Sequence, residues 1–414
     1  MSRKLNVYLC TGEPSPFRLG AGCGEKIGIL TEDDLLQLSF QYDNETRALS
    51  VSLPVRDESY PHANAFPFFE NLTPEGEAFE ILTKDHVSED KVFSILDRFG
   101  GDCAGAVALY ETMPDNDDQD LREISSSQMA QIIDKLPQDP LLTGIDNPPR
   151  LSLAGAQSKF AVYKSDGKYY RSSDKYPTTH IIKIANRRFP GLLENELFCM
   201  KLAKIILSNV PDVALMETEG RQYLEITRYD RYMKNGIARR IHQEDFCQAL
   251  GIVSGKKYQA GGGAKLKDCY EVINEFSENR FTDIIRFMEW IIFNYLIGNT
   301  DAHAKNLSIL HSDDGIMLAP FYDLLSTEVY PENIVDHEMA MLINGKGKYS
   351  SLKPKDFIAL FENLNQNATN MMRTLKDIFE NIVPAAEELR ESLSPASIHD
   401  EIIALIKKRF NILF

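Results

Sequence analysis

Apolar and polar positions alternate at Leu5-Val7-Leu9, at Leu38-Phe40-Tyr42 and at Leu49-Val51-Leu53 before Pro54. Period two predicts three short strands, because successive side chains of a strand point to opposite faces. The period then lengthens to a helical one around Ala65 to Leu82, and again over Lys91 to Phe99 before the Gly100-Gly101 stop. Further on, Ala161 to Lys164 and Lys168 to Arg171 flank Asp166-Gly167, which predicts a hairpin. His180 to Ile184 and Tyr223 to Ile226 read as strands, and Leu197, Met200, Leu202, Ile205 and Ile206 mark a helix over Leu193 to Leu207. From about His242 the pattern turns mostly helical. Phe281, Ile284, Ile285, Met288, Ile292, Tyr295 and Leu296 fall at three- and four-residue intervals and predict a buried amphipathic helix. Ser308-Ile309-Leu310 and Ile316-Met317-Leu318 flank Asp313-Asp314-Gly315 as a second hairpin, and helical periods resume from Lys355.

Breaks in the pattern suggest three segments. The acidic run Pro114 to Asp120 reads as a surface loop, and Pro137 to Arg150, with four prolines, as a connection. The division is 1–145 as an N-terminal subdomain, 146–235 as an α/β region with a small-residue loop, and 236–414 as a helical lobe. The fold class is α+β.

Composition narrows the function classes. A net charge of −16 argues against autonomous, non-specific binding of nucleic acid. Six cysteines without a Cys-x-x-Cys pair predict neither a disulfide framework nor a zinc site, and fit a reducing cytoplasm. The N-terminus lacks the apolar core of a signal peptide. The most apolar stretch, Phe287 to Gly298, contains Glu289 and Asn294 and is too short to span a bilayer.

Candidate chemistry concentrates after the long helix. Asp301 precedes Asn306 by five positions, and Asp323 follows the apolar run Leu318 to Tyr322. The protein-kinase catalytic loop has the same Asp-to-Asn spacing, with a metal-binding Asp further on. Phosphoryl transfer needs a carboxylate to orient the attacking hydroxyl and hard oxygens to hold magnesium across the phosphates. Asp301 suits the first task, Asn306 and Asp323 the second. Alone, Asp-x-x-x-x-Asn is an ordinary turn; the later Asp323 and features upstream change its weight. Ser152 to Lys159 is a small-residue loop whose backbone N–H groups could approach phosphates. Lys183 lies in a β-rich run, and Glu196 sits early in a helix where a carboxylate could pair with it. Taken singly, these are a turn, a strand lysine and a solvated glutamate. His303 is a phosphate contact or a structural hydrogen bonder. Gly251 to Lys257 is one residue short of a Walker A loop and lacks its Ser or Thr. Gly261-Gly262-Gly263 reads as a mobile loop, and His337-Glu338 lacks the second histidine of a zinc protease.

In order and spacing, the chain resembles the HipA-type serine/threonine kinase toxins of bacterial toxin–antitoxin pairs. The resemblance runs through Leu49 to Pro54, Phe68 to Gly76, Gly100 to Val107, the Ser152 to Lys159 loop, Thr178 to Lys183 and Asn195-Glu196. It continues through Arg228 to Arg231, Gln243 to Gln248, the Asp301 loop and Pro320 to Asp323. It implies a protein-kinase-like two-lobed fold with an added N-terminal α/β subdomain and an all-helical C-terminal lobe. It also implies ATP and Mg2+ as cofactors. Asp301 would be the catalytic base and Asn306 and Asp323 the metal ligands. ATP would be held by Ala154, Gly155, Ala156, Gln157, Ser158, Lys159, Lys183 and Glu196, with Thr227, Arg228, Tyr229 and Asp230 around the adenine. His303 and Lys305 complete the expected ATP contacts. Ser152 would be an autophosphorylation site that switches off ATP binding, because phosphate charge there competes with ATP. Thr227 and Ser158 depart from the family pattern, which often has an acidic residue at each; Ser158 is a second candidate for modification. The implied partners are a helix-turn-helix DNA-binding antitoxin, operator DNA through it, and a protein substrate such as an aminoacyl-tRNA synthetase. The alternative is a catalytically weak kinase-fold corepressor working with the antitoxin.

Overall fold

The alternation at Leu5, Val7 and Leu9 places all three side chains in a core, and the strand that carries them is central to a sheet. In the computed structural model this strand, β1 (Arg3–Leu9), pairs antiparallel with β2 (Glu25–Glu32), which pairs in turn with β3 (Leu38–Tyr42). The structure describes residues 2–11, 24–43, 47–83, 91–112, 121–140, 142, 157–173, 176–207 and 209–414. The acidic run at Asp115 to Asp120 and most of the proline-rich connection lie outside them.

The chain divides into two compact units. The first is Met1–Ile184, Met216–Ser254 and Leu310–Asp313; the second is Ala185–Leu215, Gly255–Ile309 and Asp314–Phe414. Each takes residues from more than one of the three segments suggested by the sequence.

In the first unit, helices α1 (His62–Glu70), α2 (Gly76–Thr83) and α3 (Lys91–Phe99) precede β4 (Val107–Tyr110), which closes the sheet in the order β3-β2-β1-β4. Phe68, Phe69, Val92, Phe93 and Leu96 share a core with Leu5, Val7, Leu30 and Phe40. Two expectations fail here. Ala65 to Leu82 is two helices rather than one, because Asn71 turns its amide back to the Pro67 carbonyl at 2.7 Å and Pro74 offers no N–H to continue. Leu49 to Leu53 is a tight turn, with Leu53 N–H on the Ser50 carbonyl at 3.1 Å. Ser50 donates to the buried Glu244 carboxylate, which also accepts the Val51 N–H at 3.0 Å, and this diverts the backbone from strand pairing.

Helix α4 (Ser126–Lys135), capped by Ser125 and Gln128, packs Met129, Ile132 and Ile133 against a second sheet. That sheet contains β5 (Lys159–Ser165), β6 (Lys168–Tyr170), β7 (His180–Ile184), β8 (Val213–Thr218) and β9 (Arg221–Thr227), in the order β6-β5-β7-β9-β8, with helix α5 (Leu192–Leu207) following β7 in the chain. The β5–β6 turn has Asp166 and Gly167 at φ 50° and 75°, the left-handed pair that a two-residue hairpin demands. A second such turn, at Asn235-Gly236, joins β10 (Arg231–Lys234) to β11 (Ile237–Arg240), ahead of β12 (His242–Asp245) and the short α6 (Phe246–Ala249). Helix formation after His242 therefore begins only once β12 has ended.

The second unit is mainly helical. Besides α5 it contains α7 (Leu266–Phe276) and α8 (Arg280–Ile297). The expected hairpin is β13 (Ser308–Ser312) and β14 (Gly315–Leu318), and with β11 and β12 it means that the segment from 236 on is not all-helical. Then follow α9 (Pro354–Asn363), α10 (Ala368–Phe379), α11 (Ile382–Ser392) and α12 (Ser397–Leu413). Ile284, Met288, Ile292, Tyr295 and Leu296 of α8 are buried as their spacing predicts, whereas Phe281 is 79% exposed on the first turn. Among the described residues no helix is long and apolar enough to cross a membrane.

Candidate active site

Helix α8 ends at Gly298, whose φ of 77° reverses the chain into the Asp301 loop. A side chain there would meet Leu405 Cδ2 at 2.6 Å, so glycine is required on two counts. The loop is then fixed from below. Asn299 donates to Asn294 Oδ1 at 2.8 Å, accepts the Asp301 N–H at 3.2 Å, and receives the Tyr349 hydroxyl on its carbonyl at 2.8 Å. Thr327 Oγ1 accepts the Thr300 N–H at 2.7 Å and donates to the Gly298 carbonyl at 3.0 Å. Asn299, Thr300, His303, Lys305 and Asn306 are all buried, yet the Asp301 side chain is 44% exposed. A carboxylate open to solvent on a backbone held this firmly is suited to orienting an incoming hydroxyl.

Asn306 Nδ2 donates to the Asp301 carbonyl at 3.0 Å. The spacing of five thus closes the loop on itself and leaves the amide oxygen as the acceptor end. Tyr322, next to Asp323, donates its hydroxyl to the Lys305 carbonyl at 2.6 Å, so the Asp323 segment is tied to the same loop. Asp323 itself has φ 57°, a left-handed conformation that costs a non-glycine residue on the order of 1 kcal/mol. Helix α5 joins this framework through Asn195, which is bound to the backbone of Ser326. Glu196 beside it is fully buried.

An amide oxygen and a carboxylate are hard donors. Two protein oxygens, rather than a cage, suit magnesium that takes its remaining ligands from phosphates and water. The described residues hold no cluster of three or more His, Cys, Asp or Glu that would bind a metal unaided. The donor types are those that a metal–nucleotide complex takes from a protein.

The first unit holds the other candidate residues. Lys183 in β7 stands directly opposite Lys159 in β5, with Leu224 of β9 on its other side. Lys183 is 5% exposed. Gln157 reaches the Ile184 carbonyl at 3.4 Å, and Ser158 accepts the Ile184 N–H at 3.3 Å. Ser152, Ala154, Gly155 and Ala156 lie outside the described residues.

The side chains of Arg228 and Asp230, expected around the adenine, are engaged with each other. Arg228 grips Asp230 through two nitrogens at 2.9 and 2.7 Å, and both are almost fully buried. Arg231 bonds Asp102 at 2.9 Å and the Gly105 carbonyl at 2.8 Å, and Arg240 lies 3.4 Å from Asp102. Burial alone would raise the Asp102 carboxyl, but Arg240, Arg231 and Arg228 outweigh it and hold it far below the usual range. Burial, helped by Arg228, pushes the Arg231 guanidinium down to about 10. These side chains form a buried ion cluster. Thr227 and Tyr229 are half-buried beside them, and the Tyr229 hydroxyl donates to Gln243.

Sequence spacing missed three participants: Thr327, Tyr349 and Tyr258. The first two act from distant segments. Tyr258 sits ahead of the glycine run read as mobile, yet its hydroxyl donates to Asp301 Oδ1 at 2.6 Å.

An α+β chain with a braced Asp-x-x-x-x-Asn loop, a later metal-type aspartate and a buried strand lysine has a fold of the protein-kinase type. Residues 151–389 match the HipA-like C-terminal domain, and residues 23–110 match the HipA N-terminal domain. The chain belongs to the HipA family. It is 41% identical over 351 residues to protein Y4mE of Sinorhizobium fredii, a match spanning 80% of this chain and 81% of that one. It is 28% identical over 390 residues to the serine/threonine-protein kinase toxin HipA of Shewanella oneidensis, covering 87% and 88% of the two chains. The solved structure of the Shewanella oneidensis toxin–antitoxin system HipA, HipB and its operator DNA aligns with a TM-score of 0.81 at 26% identity, over 98% of this chain and 95% of that chain.

Proposed function

We propose that the chain is a Mg-ATP-dependent protein serine/threonine kinase and the toxin of a toxin–antitoxin pair. The observation that carries this reading is the Asp301 loop: an accessible carboxylate on a buried, hydrogen-bonded backbone, closed by Asn306 at the kinase spacing. In the reaction Asp301 orients the acceptor hydroxyl and takes its proton as the γ-phosphoryl leaves ATP. Asn306 and Asp323 would hold magnesium, which supplies charge neutralisation at the phosphates when bound. Lys183 and Lys159 pair with phosphate oxygens. His303 and Lys305 support the loop.

The likeness to a HipA solved with HipB and operator DNA supports a DNA-binding antitoxin as partner. The net charge of −16 suits a basic partner and makes operator contact through the antitoxin the favoured route. The substrate is a serine or threonine of a host protein, and aminoacyl-tRNA synthetases are the class that the family resemblance supplies. Phosphate on Ser152 is the proposed means of self-inactivation.

The test is incubation of the purified protein with labelled Mg-ATP, wild type beside Asp301→Ala. Label on the wild type and none on the variant is expected. Robust label on a folded Asp301→Ala protein would refute Asp301 as the base. Phosphoproteomics after brief expression of each form would then name the substrate.

A further inference from the structure

The Tyr258 hydroxyl donates to Asp301 Oδ1 at 2.6 Å, and His303 Nε2 lies 3.8 Å from the same oxygen. We propose that Tyr258 is a positioning residue for phosphoryl transfer: it holds Oδ1 of Asp301, so that Oδ2 is presented to the acceptor hydroxyl. This rests on Asp301 being the base.

The contact is built into the fold on three sides. The Gln259 N–H donates to the Ala340 carbonyl at 2.8 Å, and Gln259 Oε1 accepts the Leu342 N–H at 2.8 Å. The Ala340 N–H donates in turn to the Thr300 carbonyl at 2.8 Å, one residue from Asp301. Tyr258 and Asp301 are therefore linked twice, once through their side chains and once through a backbone circuit by way of Ala340. The Tyr258 carbonyl accepts the N–H groups of Gly261 and Gly263 at 3.0 and 3.1 Å. A side chain on Gly263 would come within 1.9 Å of the Lys256 carbonyl oxygen, so the turn that presents Tyr258 depends on glycine there. The ring meets the buried His303 edge to face, with centroids 5.4 Å apart. Tyr258 is 41% exposed, and the contacts at its backbone, ring and hydroxyl are what aim its proton at Asp301.

Asp301 has need of such a brace. At 44% exposure its carboxylate would otherwise rotate among solvated rotamers. A phenol on one oxygen fixes the rotamer and leaves the second oxygen to bond the substrate, as in other sites where a third group orients the base. In the step itself the acceptor O–H proton passes to Asp301, the acceptor oxygen bonds the γ-phosphorus of ATP, and the bond to the β,γ-bridging oxygen breaks to release ADP. Tyr258 keeps its own proton throughout.

The test uses self-phosphorylation of the full chain by Mg-ATP, comparing wild type, Tyr258→Phe, Asp301→Ala and the double variant. Tyr258→Phe keeps the ring on His303 and should leave the thermal midpoint unchanged. Its rate at saturating ATP should fall about tenfold to hundredfold, with the half-saturating ATP concentration unmoved. The double variant should be no slower than Asp301→Ala. A Tyr258→Phe rate within twofold of wild type or above it, with Asp301→Ala inactive, overturns the positioning role alone. Activity in Asp301→Ala overturns the base assignment, and the positioning role with it.

Discussion

Asn195 and Ser326 hold each other by two hydrogen bonds: the Asn195 amide donates to the Ser326 carbonyl at 2.7 Å and its oxygen accepts the Ser326 N–H at 2.8 Å. Ser326 is three residues past Asp323, and Asn195 adjoins Glu196. A side-chain amide thus imitates a strand partner and fastens α5 to the metal-type aspartate's segment. Asn195→Ala is expected to leave two buried backbone groups unmatched and lower stability by about 2–4 kcal/mol. It should slow self-labelling more than Cys199→Ala, which removes a weak thiol contact to Asn195 Oδ1 and the Ser326 backbone but leaves both Asn195–Ser326 bonds in place. Urea titration and labelled ATP measure the two effects.

The left-handed backbone of Asp323 separates its conformational cost from its chemistry. Asp323→Gly and Asp323→Ala both remove the carboxylate and should both abolish labelling. Asp323→Gly should be the more stable of the two by about 1 kcal/mol, because only glycine adopts φ 57° without strain. Equal melting of the two variants would show that the positive φ stores nothing.

Acid should weaken the first unit. His242 Nε2–H donates to the Leu49 carbonyl at 2.8 Å, and its ring lies tilted against His311, centroids 4.9 Å apart, with His311 itself 2.8 Å from Glu244. Burial, then the neighbouring His311, pushes the His242 imidazole down to about 3. A depressed folded pKa means that stability is present above the unfolded value near 6.5 and is lost as pH falls from there toward about 3. Between pH 7 and pH 4.5 this one group predicts a loss of about 2–3 kcal/mol. The lowered carboxyls of Asp102 and Asp230 act in the same direction at still lower pH. Urea midpoints across this range check the slope, and His242→Gln should flatten it.

Arg228→Ala should behave as a folding variant rather than a nucleotide-binding one. Removing this guanidinium takes the two-nitrogen partner from the buried Asp230, leaving it Arg231 and the Gly105 N–H, and is expected to cost about 3 kcal/mol. Where the variant still folds, its half-saturating ATP concentration should match wild type. A selective loss of ATP affinity with unchanged melting would return Arg228 to the nucleotide site.

Much of this was legible in local spacing. The α8 helix, the hairpin after it and the Asp301–Asn306 spacing follow from periods and offsets within a few residues, and the structure bears out the helix and the hairpin. What the pattern could not show depends on distant partners. Leu49 to Leu53 alternates like a strand, but Glu244 redirects its backbone. Arg228 and Asp230 share a buried ion cluster with Asp102, far upstream, which no local pattern announces. Tyr258 follows no motif at all, and only the backbone circuit through Ala340 sets it against Asp301.

The ion cluster also bears on how the chain could be cut. Asp102 and the carbonyls of Cys103 and Gly105 fall in the N-terminal family module, and Arg228, Asp230, Arg231 and Arg240 fall in the C-terminal one. Made as two polypeptides divided between the modules, these groups would turn from a core into a lock and key. One fragment would carry a single acid with an array of carbonyls, the other three bases with one acid of their own. Such halves would be expected to bind each other through these groups as a matched pair.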